Sequence, residues 1–276
     1  MTLERRPLGR TGHQATVIGL GGGFLFKDGH RQGVETVRRA IDLGVNYLDT
    51  ASTYGDGQSE LCLGEVMKTR RDEVFLATKV LKRGKAGAAE EFRESLRRLQ
   101  TDHVDLLQIH AVQTRAMWEE VAGPDGSLAA AVEAREKGLA RFIGITGHHD
   151  PEPLIGALRA FPFATVFFPV NPAETHLGEF TERLAPVARE RGAGILAMKV
   201  LAEGALAGRL EEAIRFALGR PIDVAVIGAR SPAEIEAAVR ATEAYRPLGP
   251  DEERALLAAA RDVATGDDMW WRKRNY

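Results

Sequence analysis

The sequence predicts an α/β fold, a (β/α)8 barrel of the TIM type with an N-terminal β-hairpin and a C-terminal extension. Three observations predict it. Eight short apolar or β-branched runs, centred near Ile18, Leu48, Ala77, Leu107, Ile143, Phe167, Leu196 and Val226, recur at roughly the 30-residue spacing of one βα unit. Patterns with apolar residues three and four apart lie between them, as amphipathic helices require. The runs themselves read apolar throughout, as parallel strands do when both faces are buried.

Taken in order, the helical candidates span residues 34–43, 59–68, 88–99, 128–136, 152–160, 179–191, 210–218 and 232–245. Ser127 and Ser231 stand where a side-chain oxygen can accept from first-turn amides, and Gly44, Gly138 and Gly192 stand where helices stop. No linker rich in Pro, Gly or Ser divides the chain, so residues 1–276 are expected to form one domain, with 266–276 as a tail. A doubly wound nucleotide fold is the competing reading, prompted by Gly19-Leu20-Gly21-Gly22-Gly23 after the first strand. The third glycine of that fingerprint falls on Phe24 and no helix starts directly afterwards, so the glycines are expected to permit a tight turn instead.

Composition narrows the function classes. Apolar residues make up 44% of the chain, enough for a sizeable core. With 37 basic against 39 acidic side chains the net charge is -2, too little field to hold nucleic acid or an anionic membrane. The expected partner is a small molecule, and the expected state a monomer or weak homo-oligomer. One cysteine, Cys62, rules out an intramolecular disulfide and fits helix packing in a reducing cytoplasm. The N-terminus lacks the apolar stretch of a signal peptide, and no run approaches the roughly 18 apolar residues of a membrane span.

In a barrel, function is read at the C-terminal ends of the strands. The second barrel strand runs through Asn46-Tyr-Leu-Asp-Thr-Ala-Ser-Thr-Tyr-Gly55, delivering Asp49 and then Tyr54. The third ends in Lys79 and the fourth in His110. A tyrosine near its reference pKa of about 10 is a reluctant acid, and a neighbouring ammonium lowers that value. Lys79 is placed to do this, Asp49 to keep Lys79 charged, and His110 to share proton transfer or orient a carbonyl oxygen. None of the four is a strong nucleophile here, so the set points to proton transfer.

These strings resemble the aldo-keto reductase superfamily in its shorter bacterial form, over nearly the whole chain. The likeness runs from Pro-Leu-Gly-Arg-Thr-Gly in the hairpin through Asp-Thr-Ala-Ser-Thr-Tyr-Gly, Ala-Thr-Lys and Val-Asp-Leu-Leu-Gln-Ile-His to Val-Ile-Gly-Ala-Arg-Ser-Pro. The resemblance implies a catalytic tetrad of Asp49, Tyr54, Lys79 and His110, with Tyr54 as general acid. It implies hydride transfer from a nicotinamide cofactor to an aldehyde or ketone. Among cofactor positions, relatives carry Ser-Asn where this chain has Thr146-Gly147-His148, and a Gln where it has Phe167. Asn171 matches, Met198 stands where an aromatic usually stacks on the nicotinamide, and Lys199 follows at the rim. After the last strand, Gly228, Arg230 and Ser231 correspond to the loop that reads the adenosine 2′-phosphate. Glu234 replaces a basic residue there and suits a ribose hydroxyl. NADP(H) is therefore the expected cofactor, with NAD(H) or dual use as the alternative.

Other residues receive plainer readings. His148 and His149 are adjacent and lack a completing ligand cluster, so no metal is expected and they read as a solvated loop. His103 precedes the fourth barrel strand on the far rim and reads as surface. Trp270 and Trp271 in the tail read as a lid or a packing contact. A nucleotide-binding, non-catalytic or regulatory barrel is the alternative function, disfavoured because a binder has no need of the phenol and its lysine.

Overall fold

In this computed structural model, which describes residues 3–177, 180–265 and 267–272, a hairpin of β1 (Arg5–Pro7) and β2 (Gln14–Thr16) comes first. The barrel follows as β3 (Ile18–Gly21), β4 (Tyr47–Asp49), β5 (Phe75–Val80), β6 (Val104–Ile109), β7 (Ala140–Thr146), β8 (Thr165–Pro169), β9 (Gly194–Met198) and β10 (Val224–Gly228). These eight strands are parallel, and the sheet closes where β10 pairs with β3. Every predicted strand centre lies in one of them. Around the barrel run α1 (His30–Asp42), α2 (Gln58–Arg70), α3 (Lys85–Leu99), α4 (Arg115–Ala122), α5 (Ser127–Glu136), α6 (Pro151–Ala160), α7 (Glu174–Leu177), α8 (Ala185–Glu190), α9 (Leu210–Leu218) and α10 (Pro232–Glu243), and α11 (Pro250–Thr265) forms the extension.

A period of two along each strand decides what faces the barrel interior. Tyr47, Phe75, Ala77, Leu106, Phe167, Leu196, Val224 and Val226 form one interior cluster, into which Phe142 and Met198 also pack. Two residues further along the same faces, the sequence changes from apolar to polar: Tyr47 is followed by Asp49, Ala77 by Lys79, and Leu106 by Gln108. Continuing that period past the end of β6 reaches His110. The interior is thus a greasy plug with a polar top, and a larger apolar cluster fills the layer between strands and helices. The hairpin closes the other end, where Leu8 is fully buried and the His13 ring stacks on Phe75 at 4.8 Å. Asn46 ties it down, accepting from the Thr16 amide at 2.7 Å and donating to the Gln14 carbonyl at 2.9 Å.

Several local expectations are corrected. The helix expected at 179–191 is present over residues 180–190, but its first turn, Phe180–Leu184, is π-helical before α8 continues it, and the four-residue α7 precedes it. Pro186 in the first turn of α8 has no N–H to continue a ladder from upstream, and Glu179 lies outside the described residues. Helix α4 was not foreseen although Met117, Trp118 and Val121 give it an apolar face at spacings of three and four; its other signal was Thr114, whose hydroxyl accepts from the Met117 amide at 3.1 Å. Ser127 does not cap α5, since Gly126 holds that position and the Ser127 hydroxyl is buried without a hydrogen-bond partner among the described residues. Ser231 does cap α10, accepting from the Glu234 amide at 3.4 Å. The glycine run after β3 does enter a tight turn, a 3-10 turn at Gly22–Phe24, and Gly22 is further required by close approach: a β-carbon there would sit 2.4 Å from the Ser59 hydroxyl and 3.0 Å from the Asp49 carbonyl.

Candidate active site

Asp49, Lys79, Tyr54 and His110 converge at the polar top of the barrel. Lys79 and Asp49 are almost wholly buried, at 1% and 2% exposure, and form an ion pair. The ammonium also donates to the Thr50 carbonyl at 2.8 Å and to the Tyr54 hydroxyl at 3.3 Å. Its three hydrogens are thereby matched to three oxygens. The second carboxylate oxygen of Asp49 accepts from the Gln108 side chain at 2.8 Å. Tyr54 reaches this point from the turn after β4, whose own bonds run from the Tyr54 amide to the Ala51 carbonyl and from the Ser59 amide to the Tyr54 carbonyl. Gly55 next to it has φ +59, and a β-carbon there would lie 2.7 Å from the Phe26 ring. The Tyr54 and His110 rings meet edge to face, with centroids 6.0 Å apart.

Two residues that the sequence reading passed over hold these groups in place. Gln108 shares the inward face of β6 with His110, so the period of two was its signal. Arg83 donates to the His110 carbonyl at 2.6 Å and to the Ala111 carbonyl at 2.8 Å. Thr146 completes that turn by accepting from the Ala111 amide at 2.8 Å. Ala111 itself carries φ +54, a conformation that non-glycine residues adopt only when their surroundings hold them there.

The electrostatics differ from the simple expectation in one respect. Burial works against the Lys79 charge, but Asp49 and Tyr54 outweigh it and hold the ammonium above its ordinary pKa. Burial also dominates at Tyr54, raising the phenol above its usual value despite the pull of Lys79. The lysine therefore limits the cost of forming phenolate in a buried site, rather than making the free phenol more acidic than it is in water. Burial and the Lys79 charge keep the His110 imidazole neutral well below its normal range. Its Nδ1 is buried without a hydrogen-bond partner among the described residues.

The remaining positions lie on the rims of β7 to β10, and each is engaged with the protein itself. Asn171 donates to the Lys199 carbonyl at 2.9 Å and accepts from the Glu174 amide at 3.0 Å. Met198 packs against the interior cluster that contains Phe167. Lys199 pairs with Glu203, and its ammonium lies 4.5 Å from the centroid of the Trp271 ring; burial lowers its pKa. Gly228 packs so closely that a β-carbon would meet the Phe24 ring at 2.6 Å. Arg230 pairs with Asp28, and Glu234 accepts from the Arg230 amide at 2.8 Å.

His148 is not on a solvated loop, as the sequence had suggested. It is 6% exposed, its ring lies 3.3 Å from the Gln113 side-chain nitrogen, and its amide donates to the same side chain's oxygen at 3.3 Å. Burial depresses its pKa to about 3. The C-terminal segment covers this side of the mouth: Trp271 is fully buried and donates to Glu174 at 2.9 Å, and Arg272 donates to the His149 carbonyl at 2.6 Å. Gly266, residues 273–276 and the side chain of Trp270 lie outside what is described. Among the described residues no helix is long and apolar enough to cross a membrane.

Comparison with known proteins agrees with this fold. The model of the aldo/keto reductase family matches residues 17–216. Aldo-keto reductase YhdN of Bacillus subtilis is 32% identical over 233 residues, which cover 78% of this chain and 67% of the relative. A holo-form aldo-keto reductase of Bacillus halodurans superposes with a TM-score of 0.79 at 25% identity, covering 93% of this chain and 96% of that one. A Klebsiella pneumoniae aldo-keto reductase in complex with NADPH shares the fold, with a TM-score of 0.73 at 23% identity over 95% and 96% of the two chains.

Proposed function

The chain belongs to the aldo/keto reductase family, and on that premise we propose that it reduces aldehydes or ketones with NAD(P)H, Tyr54 acting as general acid. The observation that carries this reading is the buried relay from Gln108 through Asp49 and Lys79 to the Tyr54 hydroxyl. A nucleotide-binding module has no use for a buried lysine aimed at a phenol. Two charges taken into a barrel cost several kcal/mol each before they find one another, and here they end at an ionisable hydroxyl on the mouth.

A bound nicotinamide supplies the hydride. Arg230 and Ser231, at the start of the 12-residue helix α10, suit an anionic phosphate, because a guanidinium fork, a hydroxyl and the positive end of the helix meet there. NADP(H) is the cofactor proposed, as in the Klebsiella relative. Thr146 and Asn171 would hold its carboxamide, Met198 would back one ring face, Lys199 would lie near the pyrophosphate, and Gly228 would let the chain pass close. In the reaction Tyr54 gives its proton to the carbonyl oxygen as that oxygen gains charge. Lys79 stabilises the phenolate left behind, and Asp49 and Gln108 keep Lys79 aimed. Neutral His110 uses its otherwise unsatisfied ring to orient the carbonyl beside the phenol. We further propose that residues 1–276 act as one catalytic unit, that the tail around Trp271 serves as a lid, and that the protein works in the cytoplasm on a small carbonyl substrate.

The test is Tyr54→Phe. NADPH binding, followed by fluorescence, is expected to stay within about threefold, while turnover of a panel of aldehydes falls by roughly 10²–10⁴. Retained turnover would overturn the assignment of the acid. Nucleotide binding with no turnover of any carbonyl by the unaltered protein would leave the non-catalytic reading standing.

A further inference from the structure

We infer that Asp28 sets how strongly this site discriminates NADP(H) from NAD(H), by holding the guanidinium that would otherwise turn to the adenosine 2′-phosphate. The inference rests on the proposed reading in which the loop before α10 receives the adenosine end of the cofactor.

Asp28 lies in the segment between β3 and α1, 202 residues from Arg230 in the chain, yet its carboxylate meets the Arg230 guanidinium at 2.5 Å. Gln32, in the first turn of α1, steadies the pair, donating to the Arg230 carbonyl at 3.3 Å and lying 3.5 Å from the other Asp28 oxygen. On the opposite side Glu234 and Ser231 form a reciprocal cap: Glu234 accepts from the Arg230 amide at 2.8 Å while its own amide donates to Ser231 at 3.4 Å. Arg230 is thus held by two carboxylates, its guanidinium by Asp28 and its backbone amide by Glu234. Their combined charge is already negative before any nucleotide arrives.

The two cofactors respond differently to such a site. NAD(H) offers a ribose hydroxyl that can donate to a carboxylate and needs no cation. NADP(H) offers a dianion, which gains nothing from Arg230 until the guanidinium leaves Asp28 and which both carboxylates repel. Exposed ion pairs are weak, worth about a two- to fivefold factor, and Asp28 and Arg230 are 34% and 51% exposed. A like charge at about 4 Å in water adds roughly another fivefold. Asp28 is therefore a tunable brake on phosphate recognition rather than a bar to it.

The experiment measures the dissociation constants of NADPH and NADH for the full chain as wild type, Asp28→Asn, Arg230→Met and the double variant. Asp28→Asn is expected to tighten NADPH about three- to tenfold and to move NADH by less than twofold, the NADH value also reporting intact folding. Arg230→Met is expected to weaken NADPH alone, and most of the Asp28→Asn gain should vanish in the double variant. An unchanged or weakened NADPH affinity in Asp28→Asn, with Arg230→Met still damaging, overturns the inference and leaves Arg230 as the phosphate contact. An unaffected NADPH affinity in Arg230→Met removes the adenosine-end reading, and the inference with it. Failure of the wild type to bind either nucleotide would sink the proposed function itself.

Discussion

The two halves of the barrel mouth are built on opposite plans. On the β4 to β6 side, Asp49, Lys79, Gln108, Tyr54 and His110 bond or stack mainly with one another, and their carbon stems rise from the packed barrel interior. On the β7 to β10 side, Asn171, Lys199, Arg230 and Ser231 bond to the protein's own rim loops, to the α10 cap and, through Trp271, to the C-terminal segment. On the proposed function, the first half is already arranged for proton transfer, so little reorganisation would be left for the reaction itself. The second would have to exchange existing partners for those of a nucleotide, so its affinity would be a difference between two sets of bonds.

Substitutions can break or sharpen that contrast. The largest effect is expected at Lys79: Lys79→Met leaves the Asp49 charge buried without its partner and should cost about 3–5 kcal/mol of stability. Urea unfolding measures it, and adding Asp49→Asn should restore a good part of the loss. A cost below about 1 kcal/mol would mean that the first half is not held by its buried pair. Next comes Trp271→Phe, which removes the indole donor and leaves a buried Glu174 oxygen short of one bond. A loss of about 1–3 kcal/mol is expected, together with altered NADPH affinity. An unchanged melting temperature and affinity would detach the tail from the second half.

The effect that is smallest at neutral pH concerns protonation. Burial holds His148 down to about 3 in the folded protein against an ordinary value of 6.5. Between those values the unfolded chain binds the proton and the folded one does not, so this residue's contribution is intact above about 6.5 and is lost as pH falls toward about 3. His148→Gln should flatten the acid side of the stability curve by up to about 1.4 kcal/mol per pH unit. Parallel curves for variant and wild type would show that the imidazole does not titrate differently on folding.

The contrast also explains what could be read in advance. Barrel strands announce themselves by apolar runs at an even spacing, and the interior face of each follows from a period of two. Asp49, Lys79 and His110 could therefore be placed on one rim from their positions alone, and Gln108 could have been. Tyr54 follows because a five-residue turn cannot carry it far from Asp49. The α4 helix escaped because its eight residues offer little more than one apolar repeat, and the π-helical first turn before α8 escaped because hydrophobic spacing does not distinguish it from an α-helical one. Buried His148 escaped because its burial comes from Gln113 on the neighbouring loop and from the C-terminal segment, both distant in sequence.

The chain's own order of residues determined the barrel, the polar top of its interior and which of Asp49, Tyr54, Lys79 and His110 meet there, since each depends on local period and on the even spacing of the strands. Tertiary structure alone decided the competing contacts: Asp28 reaching Arg230 across 202 residues, Trp271 lying against Lys199, and burial lifting the Tyr54 phenol against the pull of Lys79. These depend on how loops from separate βα units meet and on how much water they exclude, and neither quantity is encoded in the spacing of residues along a single element.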